Sequence, residues 1–166
     1  VLSEGAFDHP LVCDPHVLLA ETDDESDLPD AIAPSLKAPA SGGSTGRPKL
    51  IVSTAEGVAD TASNTLLQFG HDATALMPGP LYHNGPFSTA LAALMNGAHL
   101  VLMKKFDAED WLRLADKHRV TWSYLVPTMM SRIWQLPAGL RAHYDVSALQ
   151  SILHMAAPCP VWLKEA

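Results

Sequence analysis

The sequence predicts an α/β fold, with a mostly parallel sheet flanked by helices. Short apolar runs alternate four times with stretches of helical periodicity, which is typical of parallel strands connected by helices. Capping residues and prolines stand where these helices should begin, and glycines where two of them should end. With 48% hydrophobic residues in a chain of 166, there is enough apolar material for one real core.

The strands and helices follow from local patterns, taken in chain order. Apolar or β-branched runs predict strands at 36–40, 48–53, 74–78, 98–103, 121–126 and 151–156. Ser53 and Glu56 have the spacing of a capping box before a helix that should end at Gly70. Further helices should start near Pro86, at Asp107, at Pro127 and near Val161. The helix at Pro127 should continue through Trp134. The helix near Pro86 should have an apolar stripe formed by Phe87, Ala90, Leu91 and Leu94. The tryptophans Trp111, Trp122 and Trp134 are interpreted as core residues.

Composition excludes several classes of function. Eleven basic and eighteen acidic residues leave a net charge of -7, so binding to nucleic acid is not expected. The two cysteines, Cys13 and Cys159, cannot build a disulfide framework or a cysteine-based zinc site, which fits a cytoplasmic protein. No apolar run reaches membrane-spanning length. Because the chain starts at Val1 and ends in what reads as a new helix, we expect a piece of a longer protein.

The segment ASGGSTGRPKL, residues 40–50, is the main candidate for a binding site. A Walker loop would place Gly-Lys-Ser/Thr at a helix start, whereas here Pro48 and the run 50–52 indicate that the turn joins strand to strand. A plain flexible hairpin loop is the alternative reading. The glycines allow backbone amides to approach an anion closely, while hydroxyls and two cations surround them in an acidic chain. A phosphate-sized anion would satisfy all of these donors.

The motif SGGSTGRPK resembles the phosphate-binding signature of the adenylate-forming (AMP-binding) enzymes. The residues GGSTGRPKLI resemble most the fatty-acid or bile-acid CoA ligase branch of the acyl-CoA synthetases. The resemblance extends from about Leu36 to Ala166, within the large N-terminal domain of such an enzyme. It implies that ATP is held by this turn, with Thr45 near the magnesium of Mg-ATP. The implied cofactor-binding residues of the turn are Ser41, Gly42, Gly43, Ser44, Thr45, Gly46 and Lys49.

Two further segments carry the resemblance. In PLYHNGPF, residues 80–87, the match implies that His83 acts catalytically or gates the carboxylate pocket, and that the substrate-binding residues are Tyr82, His83, Asn84 and Gly85. Taken alone, His83 is more often an ordinary loop histidine. In LHMAAPCP, residues 153–160, it implies that the backbone of Met155, Ala156 and Ala157 lies beside adenine, although Met155 stands where the family has glycine.

The composition and the resemblance together indicate how the chain is organised, and the resemblance implies a reaction. Residues 1–35 are interpreted as an irregular lead-in with an acidic linker, and residues 36–166 as the ATP-binding portion of the N-terminal domain, incomplete at both ends. The parent would activate a fatty, bile or steroid-type acid with ATP and Mg²⁺ and transfer it to coenzyme A, aided by a C-terminal domain. The isolated piece would be inactive. A peptide-synthetase adenylation domain and a non-catalytic nucleotide-binding module remain alternatives.

Overall fold

A computed structural model of the chain describes residues 32–40, 46–47, 49–58, 69–70 and 72–165. The chain divides into two compact units, residues 1–32 and 33–166, and all described residues except Ile32 belong to the second. Among its described residues, the second unit contains four strands: β1 (Thr74–Met77), β2 (His99–Leu102), β3 (Trp122–Leu125) and β4 (Ser151–His154). Its helices are α1 (Asn84–Met95), α2 (Ala108–Lys117), α3 (Pro127–Trp134), α4 (Ala138–Arg141) and α5 (Val161–Glu165).

The four strands form one parallel sheet in the order β2-β1-β3-β4. The α/β fold with a parallel sheet flanked by helices is therefore confirmed. From β1 the chain moves to β2 at one edge, then crosses back over β1 to reach β3. Such a reversal opens a crevice at the carboxyl ends of the two strands concerned, where α/β proteins bind ligands. Here the two carboxyl ends concerned are Met77 of β1 and Leu125 of β3.

Alternating residues of the strands supply two apolar cores, one on each face of the sheet. On one face Ala75, Met77, Trp122 and Tyr124 pack with Ala90 and Ala93 of α1. On the other face Leu76 and Leu125 pack with Trp111, Leu112 and Ala115 of α2, and α3 lies against the same core. A buried hydrogen-bond chain joins three elements there: the indole of Trp111 donates to Ser123 Oγ at 3.1 Å, and that hydroxyl donates to the Leu76 carbonyl at 2.9 Å.

The starts of two helices confirm the local predictions. The Asp107 carboxylate accepts hydrogen bonds from the amides of Glu109 and Asp110, both at 3.0 Å, so it caps α2 as expected. Pro127 occupies the first position of α3, and this helix runs to Trp134 as the sequence predicts. Both helix starts are set by residues within one turn of them in sequence, so local sequence patterns locate them correctly.

The predicted apolar stripe of α1 is confirmed at Ala90 and is wrong at Phe87 and Leu94, while Leu91 is partly buried. Phe87 and Leu94 are 41% and 57% exposed, whereas the buried side chains of this helix are the smaller Pro86, Thr89, Ala90 and Ala93. Small side chains at this spacing let the helix axis approach the sheet closely. The larger apolar residues consequently remain outside.

Two smaller predictions also need correction. Ser53 does not start a helix: residues 53–58 are not helical, and its hydroxyl accepts from the amide of Ala55 at 3.1 Å. The body of that predicted helix, residues 59–68, lies outside the described residues. Trp111 and Trp122 are buried as predicted, but Trp134 is 39% exposed and stacks under the guanidinium of Arg141, 4.0 Å from the ring centroid.

Candidate functional site

The glycine-rich turn connects two antiparallel backbone segments. Ala40 and Leu50 form an antiparallel bridge, and farther from the turn the amide of Ile51 donates to the Pro39 carbonyl at 2.9 Å. The amide of Ser53 likewise donates to the Lys37 carbonyl, also at 2.9 Å. The turn therefore joins strand-like segments and does not open a helix, which confirms the exclusion of a Walker loop.

Most of the predicted phosphate-binding residues lie outside the described residues, namely Ser41, Gly42, Gly43, Ser44 and Thr45. At the far side of the turn, Gly46 has a φ of 139°, a backbone conformation that side-chain-bearing residues rarely adopt, which accounts for a glycine there. A Cβ built at Gly46 meets nothing within 4 Å, so this position borders open space. Arg47 and Lys49 are exposed beside it. Open space and two exposed cationic side chains therefore lie at the described end of the turn.

Tyr82, His83 and Asn84 follow the carboxyl end of β1, at the start of α1. His83 is the residue that precedes the helix, its side chain caps no helical amide, and its ring lies 4.6 Å from that of Tyr82, centroid to centroid. Both rings are exposed, with 82% of Tyr82 open to solvent. Within the described part of the chain, the imidazole of His83 has no hydrogen-bond partner. It is therefore free to meet a ligand.

A pocket of ≈ 300 Å³ joins these residues to the segment that leads into the glycine-rich turn. One wall is formed by Leu36, Lys37, Ala38 and Pro39, and the other by Leu81, Tyr82, His83, Asn84 and Phe87. The structure therefore brings the Tyr82–Asn84 loop next to the segment that precedes the glycine-rich turn. The walls are mainly apolar, with the polar groups of His83, Asn84 and Lys37 among them.

Gly85 has a structural role that the sequence did not reveal. A Cβ at this position would stand 2.5 Å from the hydroxyl oxygen of Tyr124, so only glycine lets the first turn of α1 approach β3 this closely. Tyr124 is 3% exposed, and its hydroxyl makes no hydrogen bond to any residue that the structure describes. Burial raises the pKa of this phenol above its ordinary value, so the hydroxyl keeps its proton at neutral pH.

Met155, Ala156 and Ala157 follow the carboxyl end of β4, at the same edge of the sheet but two strands away from β1. They do not line the pocket described above. Ala156 has a φ of 73°, in the left-handed region that favours glycine, and Met155 is 48% exposed. The backbone here makes a tight turn that a glycine would adopt at lower cost.

No group of three or more histidine, cysteine, aspartate or glutamate side chains that could hold a metal ion occurs among residues 32–40, 46–47, 49–58, 69–70 and 72–165. Within the same part of the chain, no helix is long and apolar enough to cross a membrane.

A family model described as "AMP-binding enzyme" matches residues 38–166. The chain belongs to the AMP-binding enzyme family. This membership confirms the resemblance to the adenylate-forming enzymes, and the matched range contains the glycine-rich turn, the Tyr82–Asn84 loop and the Met155–Ala157 segment.

Named relatives within the AMP-binding family include CoA ligases. The chain is 33% identical over 153 residues to 4-coumarate–CoA ligase 1 of Solanum tuberosum, covering 86% of this chain and 28% of that enzyme. It is also 33% identical over 129 residues to the medium/long-chain fatty-acid–CoA ligase FadD8 of Mycobacterium tuberculosis, covering 75% of this chain and 22% of the relative. The chain therefore spans only about a quarter of the length of these curated relatives.

Solved structures show the same fold. The N-terminal domain of FACL13 from Mycobacterium tuberculosis aligns with a TM-score of 0.74 over 90% of this chain and 38% of that chain, at 24% identity. At this identity the match supports the fold alone. It agrees with the four-stranded parallel sheet and its flanking helices.

Sequence reasoning missed two residues that shape the site. Lys37 was part of a predicted strand, yet its side chain reaches across 51 positions of sequence to Ser88. Tyr124 was part of a buried strand, yet its hydroxyl determines why residue 85 is glycine. Both contacts join residues far apart in sequence. The one local indication of them is that Lys37 and Tyr124 are large polar residues in otherwise apolar strand-like segments.

Proposed function

We propose that this chain is part of an ATP-dependent acid–thiol ligase that activates a carboxylic acid as an acyl-adenylate and passes the acyl group to coenzyme A. The observation that supports the proposal most strongly is the pocket between the segment entering the glycine-rich turn and the Tyr82–His83–Asn84 loop. The family membership and the CoA ligases among the named relatives support it further.

In the proposed reaction, an oxygen of the carboxylate attacks the α-phosphorus of ATP, and the bond to pyrophosphate breaks. The turn from Ser41 to Lys49 would hold the phosphates through backbone amides, the hydroxyls of Ser44 and Thr45, and the charge of Lys49. The thiolate of coenzyme A then attacks the acyl carbon, and AMP leaves. Magnesium, when bound, would neutralise phosphate charge, with Thr45 near it.

The substrate pocket would hold the acid with its carboxylate near His83. The imidazole can donate a hydrogen bond to the carboxylate. The exposed Tyr82 beside it offers the apolar face of its ring and the polar hydroxyl at its tip. Leu36, Leu81 and Phe87 would contact the apolar body of the acid. Met155, Ala156 and Ala157 would lie beside adenine at the same edge of the sheet.

The test is acid-dependent exchange of pyrophosphate into ATP by the intact protein that contains this chain, followed by thioester formation with coenzyme A. The panel should contain a fatty acid, a bile acid and 4-coumarate, with a blank that lacks acid. Exchange and thioester formation with one of these acids would support the proposal and identify the acid. Amino-acid activation without transfer to coenzyme A would favour a peptide-synthetase adenylation domain, and no exchange with any acid would favour a non-catalytic module.

Replacing Thr45 and Lys49 together by alanine tests the phosphate role of the turn. We expect the KM for ATP to rise more than tenfold, because a hydrogen bond to a charged group contributes roughly 1.5–3 kcal/mol. Lys105→Ala is the matched control, since Lys105 is an exposed lysine before α2, away from the pocket. Equal kinetics of the double variant and the control would remove the turn from the mechanism.

A further inference from the structure

A chain of two hydrogen bonds links the segment that enters the glycine-rich turn to the first turn of α1. The ammonium of Lys37 donates to Ser88 Oγ at 2.6 Å, and the Ser88 hydroxyl donates to Asn84 Oδ1 at 3.2 Å. Lys37 and Ser88 are half-buried, whereas Asn84 is exposed at the pocket. The contact therefore connects the two walls of the pocket through side chains.

The backbone at Lys37 is itself held in place. Its carbonyl accepts from the amide of Ser53 at 2.9 Å and from the hydroxyl of Ser35 at 3.0 Å. That serine hydroxyl also lies 2.9 Å from the Ser53 carbonyl. Because the main chain is tied to the antiparallel segment at Ser53 and to Ser35 of its own segment, the Lys37 side chain extends from a fixed point and can transmit its position to Ser88.

The charge of Lys37 is not used in an ion pair with any residue that the structure describes. The ion pairs in this part of the chain are Arg113–Asp110 and Arg119–Asp145, and both lie away from the pocket. A charged donor strengthens a hydrogen bond to a neutral hydroxyl, and 2.6 Å is short for such a bond. The ammonium thus holds α1 against the hairpin at one defined separation.

That separation matters for the proposed chemistry. Lys37 lies four residues before Ser41, where the glycine-rich turn begins, and Asn84 directly follows His83. Attack of a carboxylate on a phosphorus atom requires the two reactants to be held at near-contact distance, and a displacement of about 1 Å can cost roughly 100-fold in rate. Any group that fixes the two walls relative to each other would therefore influence the rate.

We infer that Lys37 is a positioning residue for acid activation, which acts through Ser88 and Asn84 to hold the glycine-rich hairpin and the His83 loop in register. The inference rests on the proposed function. Although Lys37 borders the pocket, its ammonium donates to Ser88, so we assign it a role in positioning and not in binding the acid. This role explains why a lysine stands in a strand-like segment among small and apolar residues.

The experiment compares Lys37→Met, Ser88→Ala and the double variant in the intact protein, by acid-dependent pyrophosphate exchange. Each single variant should lower kcat about tenfold with less than a threefold change in the KM for ATP, because position is lost and phosphate contacts are kept. The double variant should also lose about tenfold, not 100-fold, because both changes break the same chain. Lys37→Arg should recover kcat to within about threefold, since a guanidinium can also donate to Ser88.

Lys105→Met is the control for loss of an exposed lysine, and the thermal midpoint of each variant is measured alongside. Equal kcat of Lys37→Met and Lys105→Met would overturn the inference, as would additive losses in the double variant. A loss of activity only in proportion to a lower thermal midpoint would overturn it too. If Lys37→Met fails to fold, the Ser88→Ala result alone tests the inference, because this change on α1 breaks the same Lys37–Ser88–Asn84 hydrogen-bond chain. A wild-type protein without acid-dependent exchange would contradict the proposed function and the inference together.

Discussion

Ala156 carries a backbone conformation that its side chain disfavours. Its φ of 73° lies in the left-handed region, where a Cβ crowds the neighbouring carbonyl and costs roughly 1–2 kcal/mol. The residue follows the carboxyl end of β4, in the segment that we propose to lie beside adenine. By contrast, a side chain would be strained at Gly46 because of its positive φ, and it would clash with Tyr124 at Gly85. At both positions the residue present is the one that the backbone geometry requires.

Replacing Ala156 by glycine should raise the free energy of unfolding by about 0.5–1 kcal/mol, because relief of the strain exceeds the added freedom of the unfolded chain. Equilibrium unfolding of the 166-residue chain in urea measures the change. Ala157→Gly is the matched control, since this neighbour has no positive φ, and it should lower the free energy of unfolding by about 0.5 kcal/mol. Destabilisation of both variants by the same amount would contradict the strain at Ala156.

Contacts between elements are made by side chains at their ends as well as by the two cores. Arg119, just after α2, pairs with Asp145 in the loop before β4 at 2.6 Å, although both side chains are more than half exposed. Hydrogen bonds from the hydroxyl and amide of Ser147, together with Arg119, lower the pKa of Asp145 to about 2. The Asp145 carboxylate therefore stabilises the loop only while it is charged.

This lowered pKa predicts a pH dependence of stability. Because the folded carboxylate binds its proton less readily than the unfolded one, its contribution is complete above about pH 4 and is lost as the pH falls through about 2. Asp145→Asn should be less stable than the wild type at pH 7, and the difference should shrink between pH 4 and 2. Urea midpoints at a series of pH values measure it.

Ser147→Ala provides the matched comparison, because it removes part of the same hydrogen bonding and should weaken the pH dependence without abolishing it. A difference between wild type and Asp145→Asn that stays constant from pH 7 to pH 2 would show that Asp145 makes no pH-dependent contribution.

At the scale of the whole molecule, the parallel sheet places the carboxyl ends of β1, β3 and β4 at one edge. The Tyr82–Asn84 loop follows β1 there, the Met155–Ala157 segment follows β4, and residues 36–39 share a pocket with the first of these. The chain covers 28% of the length of the 4-coumarate–CoA ligase that it resembles. The proposed reaction has to position an acid, ATP and coenzyme A in turn, which requires more surface than the pocket of ≈ 300 Å³ offers.

We therefore expect the 166-residue chain alone to give no acid-dependent pyrophosphate exchange above the blank without acid, whereas the intact protein is active. The comparison uses equal molar amounts of both proteins and the acid that the intact protein accepts. Exchange by the isolated chain at a comparable rate would contradict this expectation and would locate the whole adenylation site within residues 1–166.

The difference between prediction and structure follows the range of the interactions. Helix starts at Asp107 and Pro127 were predicted correctly because a cap or a proline acts on amides within one turn. The buried face of α1 was predicted correctly at Ala90 but not at Phe87 and Leu94, because hydrophobicity favours large apolar residues whereas this face packs small side chains such as Ala93 against the sheet. The phosphate turn remains a prediction, since Ser41 to Thr45 lie outside the described residues.

The sequence by itself determined the alternation of strands and helices, the strand-to-strand setting of the glycine-rich turn and the family, because these depend on local periodicity and short motifs. Only the tertiary structure decided that Lys37 reaches Ser88, that Tyr124 requires glycine at position 85, and that Ala156 adopts a left-handed conformation. The first two features arise where segments distant in sequence meet, so the volume and hydrogen-bonding capacity of the partner are absent from the local pattern. The third is a backbone conformation that an alanine in the sequence does not indicate.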